Sequence, residues 1–402
     1  MKRREFIANA ACAAASLSLS ACQGSSPAIT PPPVIPPVQP NRDFAHHRFG
    51  VNYTPSQDWW YSWQNWNLDS IKQDLDAIAS VGVDHMRIFP IWPVFQTGAA
   101  SFSTAALDLL SQLLTEMGTR GLDAVIPVFT GQLSGHYFLP VFNEADPAFY
   151  TDNGFWNAQA LYIKKLAALI NAHNNIIGFD FGNEVDTCWS APLATGDAWM
   201  AKMMALMNSA CPGGTHVNGI SASWYCYHTF SPKALTENLL PVMHCYPYWL
   251  GSLNYGGPMD PPSTQLLSAS AALIRSYAGN LQKPVWAGEY NTCIVSMPET
   301  QQAAWLEAAT MSAIDAGVCW FTYWDSHDLN PKFTDFNAVE YSLGLFTNAG
   351  VIKEQGKTYK QLIAAYKGKT VTLPTATLPP PPASLDLDTT WQWLLDYMKW
   401  KP

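Results

Sequence analysis

The chain has 402 residues, a formal net charge of −9 and 48% apolar residues, but only 13% charged residues. This length suits one large barrel or two modest domains, and the apolar fraction is sufficient for a sizeable core. Outside the N-terminus the sequence has no run of Lys or Arg, which argues against a nucleic-acid partner. The body has no stretch of 18 apolar residues, so no internal membrane span is predicted.

Residues 1–22 are typical of an export signal rather than of a folded element. A basic KRR start at 2–4 precedes an Ala-rich apolar stretch, and the paired arginines resemble a twin-arginine signal. The pattern LSAC at 19–22 resembles a bacterial lipobox, in which Cys22 would be lipidated. We therefore expect an exported, membrane-anchored lipoprotein in the periplasm or at the cell surface. Ordinary signal cleavage nearby is the alternative.

Two Pro-rich stretches bracket the folded part of the sequence. The first lies within 23–43 and the second, LPTATLPPPPAS, at 373–384. Proline at this density predicts extended polyproline rather than a packed element. We therefore expect a linker at 23–43, one globular domain at 44–370, and a second linker with an aromatic tail at 371–402. The amphipathic tail TWQWLLDYMKW either docks on the body or contacts a partner.

Within the globular domain, short β-rich segments alternate with segments of helical periodicity, such as Leu68, Ile71, Leu75 and Ile78. Eight strands are predicted, at 48–54, 83–90, 122–129, 176–183, 216–223, 240–246, 283–289 and 317–324. The alternation predicts parallel strands with right-handed crossovers, and eight units fit a (β/α)₈ TIM barrel. A doubly wound open sheet is the alternative. It would need a Gly-rich turn after the first strand, where YTPSQDWW has none.

In such a barrel, functional side chains lie at the carboxyl ends of the strands. The polar and aromatic candidates found there are Asn52, Arg87, Gln132, Asn183, Glu184, Trp224, His244, Tyr246, Glu289 and Trp324. Carboxylates after strands four and seven, on opposite sides of the ring, suggest glycoside hydrolysis by a proton donor and an ionised partner. The sequence leaves open whether their separation suits retention or inversion.

Each candidate also has a structural interpretation. Either glutamate could be an acidic residue at a helix N-terminus, favoured by the helix dipole, and Arg87 could pair with a structural Asp. In the functional interpretation Arg87 keeps a nucleophilic carboxylate ionised and low in pKa, and the Tyr246 hydroxyl orients that carboxylate. Asn183 would bind a sugar 2-hydroxyl rather than cap a helix. Trp324 would be a platform under the sugar ring, and His244 would line the site, rather than belong to the core.

No metal or nucleotide cofactor is predicted. The adjacent pair His46 and His47 does not form a cluster of ligands, and the sequence contains neither a C-x-x-C nor a G-x-S-x-G motif. Six cysteines follow residue 22, at Cys188, Cys211, Cys226, Cys245, Cys293 and Cys319. An exported protein can form disulfides, but free buried thiols are an equally good interpretation.

The motifs around these residues resemble glycoside hydrolase family 5 of clan A, and within it the bacterial exo-β-mannosidases. The matching segments, over roughly 48–366, are RFGVNYTPS, DLDAIASVGVDHMRIFPIWPVFQ, GNEVD, CPGGTH followed by SASWY, and YWDSHDLN followed by EYSLGLFTNAG. Asn-Glu after strand four and Glu after strand seven are the signature of the clan. KPVWAGEYNT and HCYPYW depart from the subfamily pattern.

The resemblance implies hydrolysis by double displacement with retention, with Glu184 as acid/base and Glu289 as nucleophile. It implies that Arg87, Asn183, His244 and Trp324 surround the sugar whose bond is cleaved. To these substrate-binding residues we add, from their places at strand ends, Tyr246, Gln132, Trp224 and Asn52.

The implied substrates are β-linked mannosides, as oligosaccharide or polysaccharide, cleaved from the non-reducing end. Alternatives are an endo-β-mannanase, a β-glucosidase or cellulase-like enzyme of the same family, and a transglycosylase. A non-catalytic, glycan-binding surface lipoprotein is the alternative outside enzymes.

Overall fold

The computed structural model describes residues 43–140, 142, 148–221, 223–226, 229–237 and 239–401. The expected signal at 1–22, with Cys22, and all but the last residue of the first Pro-rich stretch lie outside the described residues. Among the helices of the described part, none is long and apolar enough to cross a bilayer.

Eight parallel strands form the central sheet of the described chain. They are β1 Arg48–Asn52, β2 His85–Arg87, β3 Asp123–Phe129, β4 Ile176–Asn183, β5 Val217–Gly219, β6 Val242–Cys245, β7 Trp286–Tyr290 and β8 Trp320–Tyr323. Their hydrogen-bonded order is β6-β7-β8-β1-β2-β3-β4-β5. The two edges meet where the His244 amide donates to Ile220 O at 3.0 Å. The nearly closed ring confirms the predicted (β/α)₈ barrel.

A helix follows each strand. These are α1 Leu68–Ser80, α2 Thr104–Gly118, α3 Asn153–Ile170, α4 Leu193–Ala210, the short α5 Pro232–Glu237, α6 Leu266–Ala278, α7 Glu299–Asp315 and α8 Glu354–Tyr366. A further helix, α9, spans Leu387–Met398. Shorter helical turns lie at Trp59–Tyr61, Trp92–Phe95, Val185–Cys188, Pro247–Leu250, Ser252–Asn254, Pro261–Thr264 and Ala338–Ser342. Two small hairpins pair Gln96–Gly98 with Ser101–Phe102 and Gln132–Leu133 with His136–Tyr137.

The first helix shows how sequence pattern becomes packing. Ile71, Leu75 and Ile78 of α1 are buried, as their spacing along one helical face predicts. The side chain of Asn67 accepts a hydrogen bond from the Ser70 amide at 3.1 Å and caps the helix. The cap fixes where the chain turns from the β1 loop into the helix.

An apolar cluster fills the amino-terminal end of the barrel. It consists of Val125, Ile177, Val217, Val242, Trp286, Cys319, Trp320 and Val371. Beside it, Arg48 donates to Asp84 at 3.0 Å and to Asp123 at 2.6 Å, and its guanidinium lies 4.7 Å from the Trp320 ring centroid. At this end Arg48 is therefore paired with two carboxylates.

The chain after α8 runs along the outside of the barrel. Val371 donates to Ala45 O at 2.7 Å at the amino-terminal end. The second Pro-rich stretch then lies against α6, where Ser276 Oγ donates to Pro379 O at 2.7 Å and Gln282 Nε2 donates to Pro374 O at 3.1 Å. The aromatic tail forms α9, with Trp391 and Leu394 buried. Of the two expected arrangements, the tail adopts the docked one.

The six cysteines that follow residue 22 are free thiols in the described chain, four of them buried. Of the two interpretations left open by the sequence, the structure shows free thiols.

Candidate active site

A cavity of about 510 Å³ opens at the carboxyl ends of the strands. Seven of the predicted site residues line it: Gln132, Asn183, Glu184, His244, Tyr246, Glu289 and Trp324. The strand-end rule therefore brings residues separated by nearly 200 positions of sequence into one cavity.

Glu184 ends β4 with a left-handed backbone, φ 50° and ψ 42°. A non-glycine residue pays about 1–2 kcal/mol for this conformation, and such strain concentrates at functional sites. The Glu184 amide donates to Gly219 O at 3.0 Å, which ties the turn to β5. The turn sets the carboxyl in the cavity with its side chain 14% exposed.

His244 lies against both glutamates. Its Nδ1 is 2.9 Å from Glu184 Oε1 and 3.4 Å from Glu289 Oε2. Burial lowers the His244 pKa to about 4, so the ring is neutral at pH 7. Burial also raises the pKa of Glu184 to about 7, opposed by the charge of Arg87 and a hydrogen bond from Ser221. Glu184 therefore holds a proton through much of the neutral range.

Glu289, on β7, is more strongly held than Glu184. Its Oε1 accepts a hydrogen bond from Arg87 Nη1, and its Oε2 accepts one from the Tyr246 hydroxyl at 2.6 Å. Its side chain is only 3% exposed. Burial raises the Glu289 pKa above its ordinary value, and His244, Arg87 and Tyr246 act in the opposite direction.

That direction corrects one expectation. We expected Arg87 to keep the pKa of Glu289 low, but the cost of burying the charge outweighs the nearby cation. The hydrogen bonds from Arg87 and Tyr246 still favour the ionised form. Glu184 receives neither of them in the described structure, so the two carboxyls remain chemically different.

Arg87 is held by more groups than either interpretation of the sequence supposed. Its guanidinium donates to Asp180 Oδ2 from Nε at 2.9 Å and from Nη2 at 2.7 Å, besides contacting Glu289. Nη2 also donates to Asn183 Oδ1 at 2.8 Å. Asp180 is therefore the structural aspartate, on β4, and Arg87 positions Glu289 instead of lining the cavity.

Gly219, at the end of β5, makes this arrangement possible. A Cβ at this position would lie 2.6 Å from Asp180 Oδ2 and 2.7 Å from Arg87 Nη2. Any side chain there would displace the ion pair, so glycine is required by close approach.

Besides Arg87, two other predicted substrate-binding residues do not reach the cavity. Trp224 is buried in the core, and its Nε1 donates to Val242 O at 2.9 Å, so assigning it to substrate binding was wrong. Asn52 is fully buried and donates to Gly288 O at 3.0 Å while its Oδ1 accepts from Arg87 Nη1 at 3.2 Å. Asn52 therefore supports Arg87 instead of contacting a ligand.

Aromatic residues form one side of the cavity. Trp324 follows β8 and is backed by Trp60 and Phe89, with ring centroids 6.2 and 5.9 Å away. Tyr248 and Trp249, in the loop that follows β6, also line the cavity. Neither residue was predicted from the sequence, although both belong to HCYPYW, which departs from the subfamily pattern.

A third carboxyl, Glu340, was also missed. It belongs to the helical turn Ala338–Ser342 after β8, lines the cavity and is 7% exposed. Its Oε2 is buried without a hydrogen-bond partner among the described residues. Burial, with the charges of Glu289 and Glu184, raises the Glu340 pKa to about 8. Because the residue lies 17 positions beyond the last strand, no strand-end rule indicates it.

Glu184, His244 and Glu289 each place one potential ligand atom within 4.8 Å of the others, the spacing a metal ion would need. However, both oxygens of Glu289 already accept hydrogen bonds from Arg87 and Tyr246. Glu289 is therefore already engaged by Arg87 and Tyr246.

Several solved structures align with most of this chain. A GH5_18 structure from Streptomyces cattleya, in complex with GlcNAc, aligns with a TM-score of 0.79 and 27% identity over 88% of this chain and 90% of that one. A GH5_18 structure from Bifidobacterium longum subsp. infantis aligns with a TM-score of 0.77 and 26% identity over 81% and 80%. An exo-beta-1,4-mannosidase from Opitutaceae bacterium strain TAV5 aligns with a TM-score of 0.73 and 25% identity over 80% and 60%.

The chain is similar in fold to the family 5 glycoside hydrolases among these structures. The resemblance to family 5 and its bacterial exo-β-mannosidases that the sequence predicted is confirmed, and it supports a glycosidase. No family sequence model and no curated protein matches the chain. The relationship is thus carried by the shape of the barrel and by motifs scattered along it.

Proposed function

We propose that this family 5 protein is a retaining β-mannosidase in which Glu289 is the nucleophile and Glu184 the acid/base. The observation that carries the proposal is the pairing of the two carboxyls, which bring one oxygen each within 4.8 Å. Retaining enzymes place their carboxyl groups about 5–5.5 Å apart, whereas inverting enzymes need roughly 6.5–9.5 Å to accommodate a water.

In the first step, an oxygen of Glu289 forms a bond to the anomeric carbon as the glycosidic C–O bond breaks. Glu184 donates its proton to the departing oxygen, so the leaving alcohol is neutral. Its pKa of about 7 keeps that proton available near neutral pH. In the second step, Glu184 takes a proton from water, the water oxygen bonds to the anomeric carbon, and Glu289 is released as a carboxylate.

The neighbouring groups support this division of roles. Arg87 and Tyr246 donate to Glu289 and stabilise the carboxylate that attacks and later leaves. Asn183 Nδ2 donates to Gln132 O at 2.6 Å and its Oδ1 accepts from Arg87, so the amide is fixed in the cavity next to Glu184. Trp324 offers an apolar face to the C–H side of a sugar ring.

The structural neighbours suggest which sugar binds. GH5_18 variants from Streptomyces cattleya and from Bifidobacterium longum subsp. longum have been crystallised in complex with Manβ1-4GlcNAc, at 27% identity to this chain. We therefore propose a β-mannosyl group at the non-reducing end of an oligosaccharide as the substrate.

The test is hydrolysis of p-nitrophenyl β-mannoside and Manβ1-4GlcNAc, followed by NMR of the first anomer released. Early β-mannose is expected, with p-nitrophenyl β-glucoside cleaved more slowly. Glu289→Ala should lose roughly 10⁴–10⁶-fold in kcat, the scale for loss of a catalytic nucleophile, and azide should rescue it as an α-glycosyl azide. Glu237→Ala, at an exposed position on α5, is the control and should match wild type.

Other results would overturn the proposal in different ways. Early α-mannose would exclude retention. Cleavage of mannan oligomers only at internal bonds would indicate an endo-β-mannanase. Affinity for mannan without turnover, unchanged by Glu289→Ala, would indicate a glycan-binding protein. Trisaccharide appearing from disaccharide would indicate transglycosylation.

The proposed location rests on the sequence of residues 1–22 alone. We propose that the protein is exported and anchored through a lipid on Cys22. Metabolic labelling with a palmitate analogue should mark the full-length protein in membranes, and Cys22→Ala should remove the label. Label retained by Cys22→Ala would contradict the anchor.

A further inference from the structure

The C-terminal helix α9 is bonded to the loop that follows β6. We define the β6 loop as residues 246–255. Trp391 Nε1 donates to Leu250 O at 2.7 Å, and Trp400 Nε1, just beyond the helix, donates to Tyr255 O at 2.8 Å. The tail therefore holds backbone carbonyls in the middle and at the end of this loop.

Ring packing strengthens the same contact. The Trp391 ring stacks on Tyr255, with centroids 4.7 Å apart and planes at 29°. Thr390, also fully buried, donates to Tyr225 O at 2.9 Å in the loop after β5. Two adjacent residues of α9, Thr390 and Trp391, thus donate hydrogen bonds to the loops that follow β5 and β6 at the catalytic end.

The β6 loop in turn carries active-site groups. Tyr246 donates to Glu289, and Tyr248, Trp249 and Leu250 line the cavity. The rings of Tyr246 and Tyr248 lie 5.7 Å apart, and those of Tyr248 and Trp249 lie 5.2 Å apart. A continuous series of contacts therefore leads from α9 to the carboxylate of Glu289.

The helix also reaches the cavity itself. Leu387, its first residue, is one of the lining residues and is 39% exposed. Asp386 caps the helix by accepting from the Thr389 amide at 2.9 Å, which fixes where Leu387 lies. Part of the cavity surface thus comes from residues outside the (β/α)₈ unit.

The hydrogen bonds inside the β6 loop are local, joining residues of a single turn or, from Ser252 Oγ to Pro247 O at 3.0 Å, of neighbouring turns. Gly251, at the centre of the loop, adopts φ 79°, and glycine is free to adopt both this and other conformations in the unfolded chain. The loop's two short turns, Pro247–Leu250 and Ser252–Asn254, are each a single helical turn, too short to be stable alone. Its conformation must therefore come from what it packs against.

We propose that α9 is a positioning element of the active site, which holds the β6 loop so that Tyr246 stays bonded to Glu289. Trp391 is its principal positioning residue, and Leu387 adds a contact for the sugar next to the cleaved bond. The turnover measurements below rest on the proposed glycosidase function. The loop measurement does not.

The experiment compares Trp391→Ala with Trp393→Ala. Trp393 is on the same helix, but its Nε1 donates to Pro380 O at 2.8 Å and its ring stacks on Tyr397, away from the β6 loop. Trp391→Ala should lower kcat/KM about tenfold, mostly through kcat, the size expected when a hydrogen bond to a charged group is weakened. Trp393→Ala should stay near wild type at similar thermal stability.

The pH profile separates positioning from general destabilisation. Tyr246 lowers the Glu289 pKa, so loosening that hydrogen bond should move the acidic limb of kcat/KM to higher pH in Trp391→Ala and not in Trp393→Ala. Leu387→Ala, at an accessible position, should raise KM with kcat unchanged. If Trp391→Ala unfolds, Trp391→Phe removes the Nε1 donor and part of the ring but keeps an aromatic side chain, and should show a smaller shift in the same direction.

Amide hydrogen exchange is the readout that needs no substrate. The amides of Trp249 and Leu250, which donate to Tyr246 O at 3.1 and 3.0 Å, should exchange faster in Trp391→Ala than in Trp393→Ala. Equal exchange and equal kinetics in the two variants would overturn the proposal. Faster exchange in a protein that cleaves no glycoside would uphold the loop contact while refuting the proposed function.

Discussion

Arg48 and Arg87 lie at the two ends of the same barrel. Each pairs with two carboxylates, but the partners of Arg48 are partly exposed and those of Arg87 are buried. Arg48, at the amino-terminal end, pairs with Asp84 and Asp123, whose side chains are 22% and 26% exposed. Arg87, at the carboxyl end, pairs with Asp180 and Glu289, whose side chains are 0% and 3% exposed. The first cluster is in contact with solvent and the second is sealed from it.

The difference separates the stable end of the molecule from the reactive end. A buried ion pair recovers little net stability, because desolvation offsets the attraction, yet removing one partner strands the other. At the amino-terminal end, an apolar cluster and solvent-accessible carboxylates avoid that cost. The carboxyl end contains the buried ion pair, the left-handed Glu184 and a Glu340 oxygen without a hydrogen-bond partner among the described residues, all of which are destabilising. The same arrangement holds the carboxyls of Glu184 and Glu289 close together.

The largest contrast should come from replacing each arginine by lysine, which keeps the charge but not the forked donors. Arg87→Lys should lower kcat/KM by roughly 10²–10³-fold, as does removal of one strong electrostatic contact in a site. Arg48→Lys should leave kcat/KM unchanged and lower the melting temperature slightly. Kinetics on aryl β-mannoside and calorimetry check both; equal losses of activity would contradict the division between the ends.

A second contrast concerns pH, through the elevated pKa of Glu184. Glu184 must be protonated to act as acid, so kcat/KM should fall as pH rises through about 7. The stability of the folded protein should also fall as the pH rises. A carboxyl whose folded pKa is raised contributes stability below its unfolded pKa, which is lost as pH rises through about 7.

The measurement is a pH profile of kcat/KM beside denaturant unfolding at pH 5 and pH 8. Glu184→Gln should lower the rate, and the remaining activity should no longer fall at alkaline pH. The variant should also lose less stability than wild type between pH 5 and pH 8. An activity plateau extending to pH 9 would contradict the raised pKa.

The smallest effect is expected at Glu340, where the pKa is raised to about 8. Glu340→Gln removes an ionisation that the fold disfavours, so its stability relative to wild type should rise between pH 5 and pH 8. The gain should be on the order of 1–3 kcal/mol, the range for a buried polar group without a partner. Glu354→Gln on α8, where the carboxylate is exposed, is the matched control; a gain that is the same at both pH values would argue against a buried, protonated Glu340.

The sequence predicted the barrel well because its signals are local and repeated. All eight strands were located, although most predicted segments were longer than the strands; the last strand begins at Trp320 rather than at 317. Helix α5 was missed because six residues are too few to show a period.

The site was predicted less completely, and the errors have a common cause. Position at a strand end indicates which side chains approach the mouth but not which of them other groups enclose. Trp224 follows β5 yet turns into the core, where Val242 O accepts its only ring donor. Asp180 and Glu340 are the converse, since neither lies at a strand end and both are recognised only through distant partners.

The described chain begins at Asp43 on the amino-terminal side of the barrel, where His46 bridges to Thr370. The cavity opens at the opposite end. If the proposed lipid anchor holds, the chain that leads from it enters the domain at the end opposite the mouth. The anchoring chain would then leave the mouth of the cavity free for glycan chains.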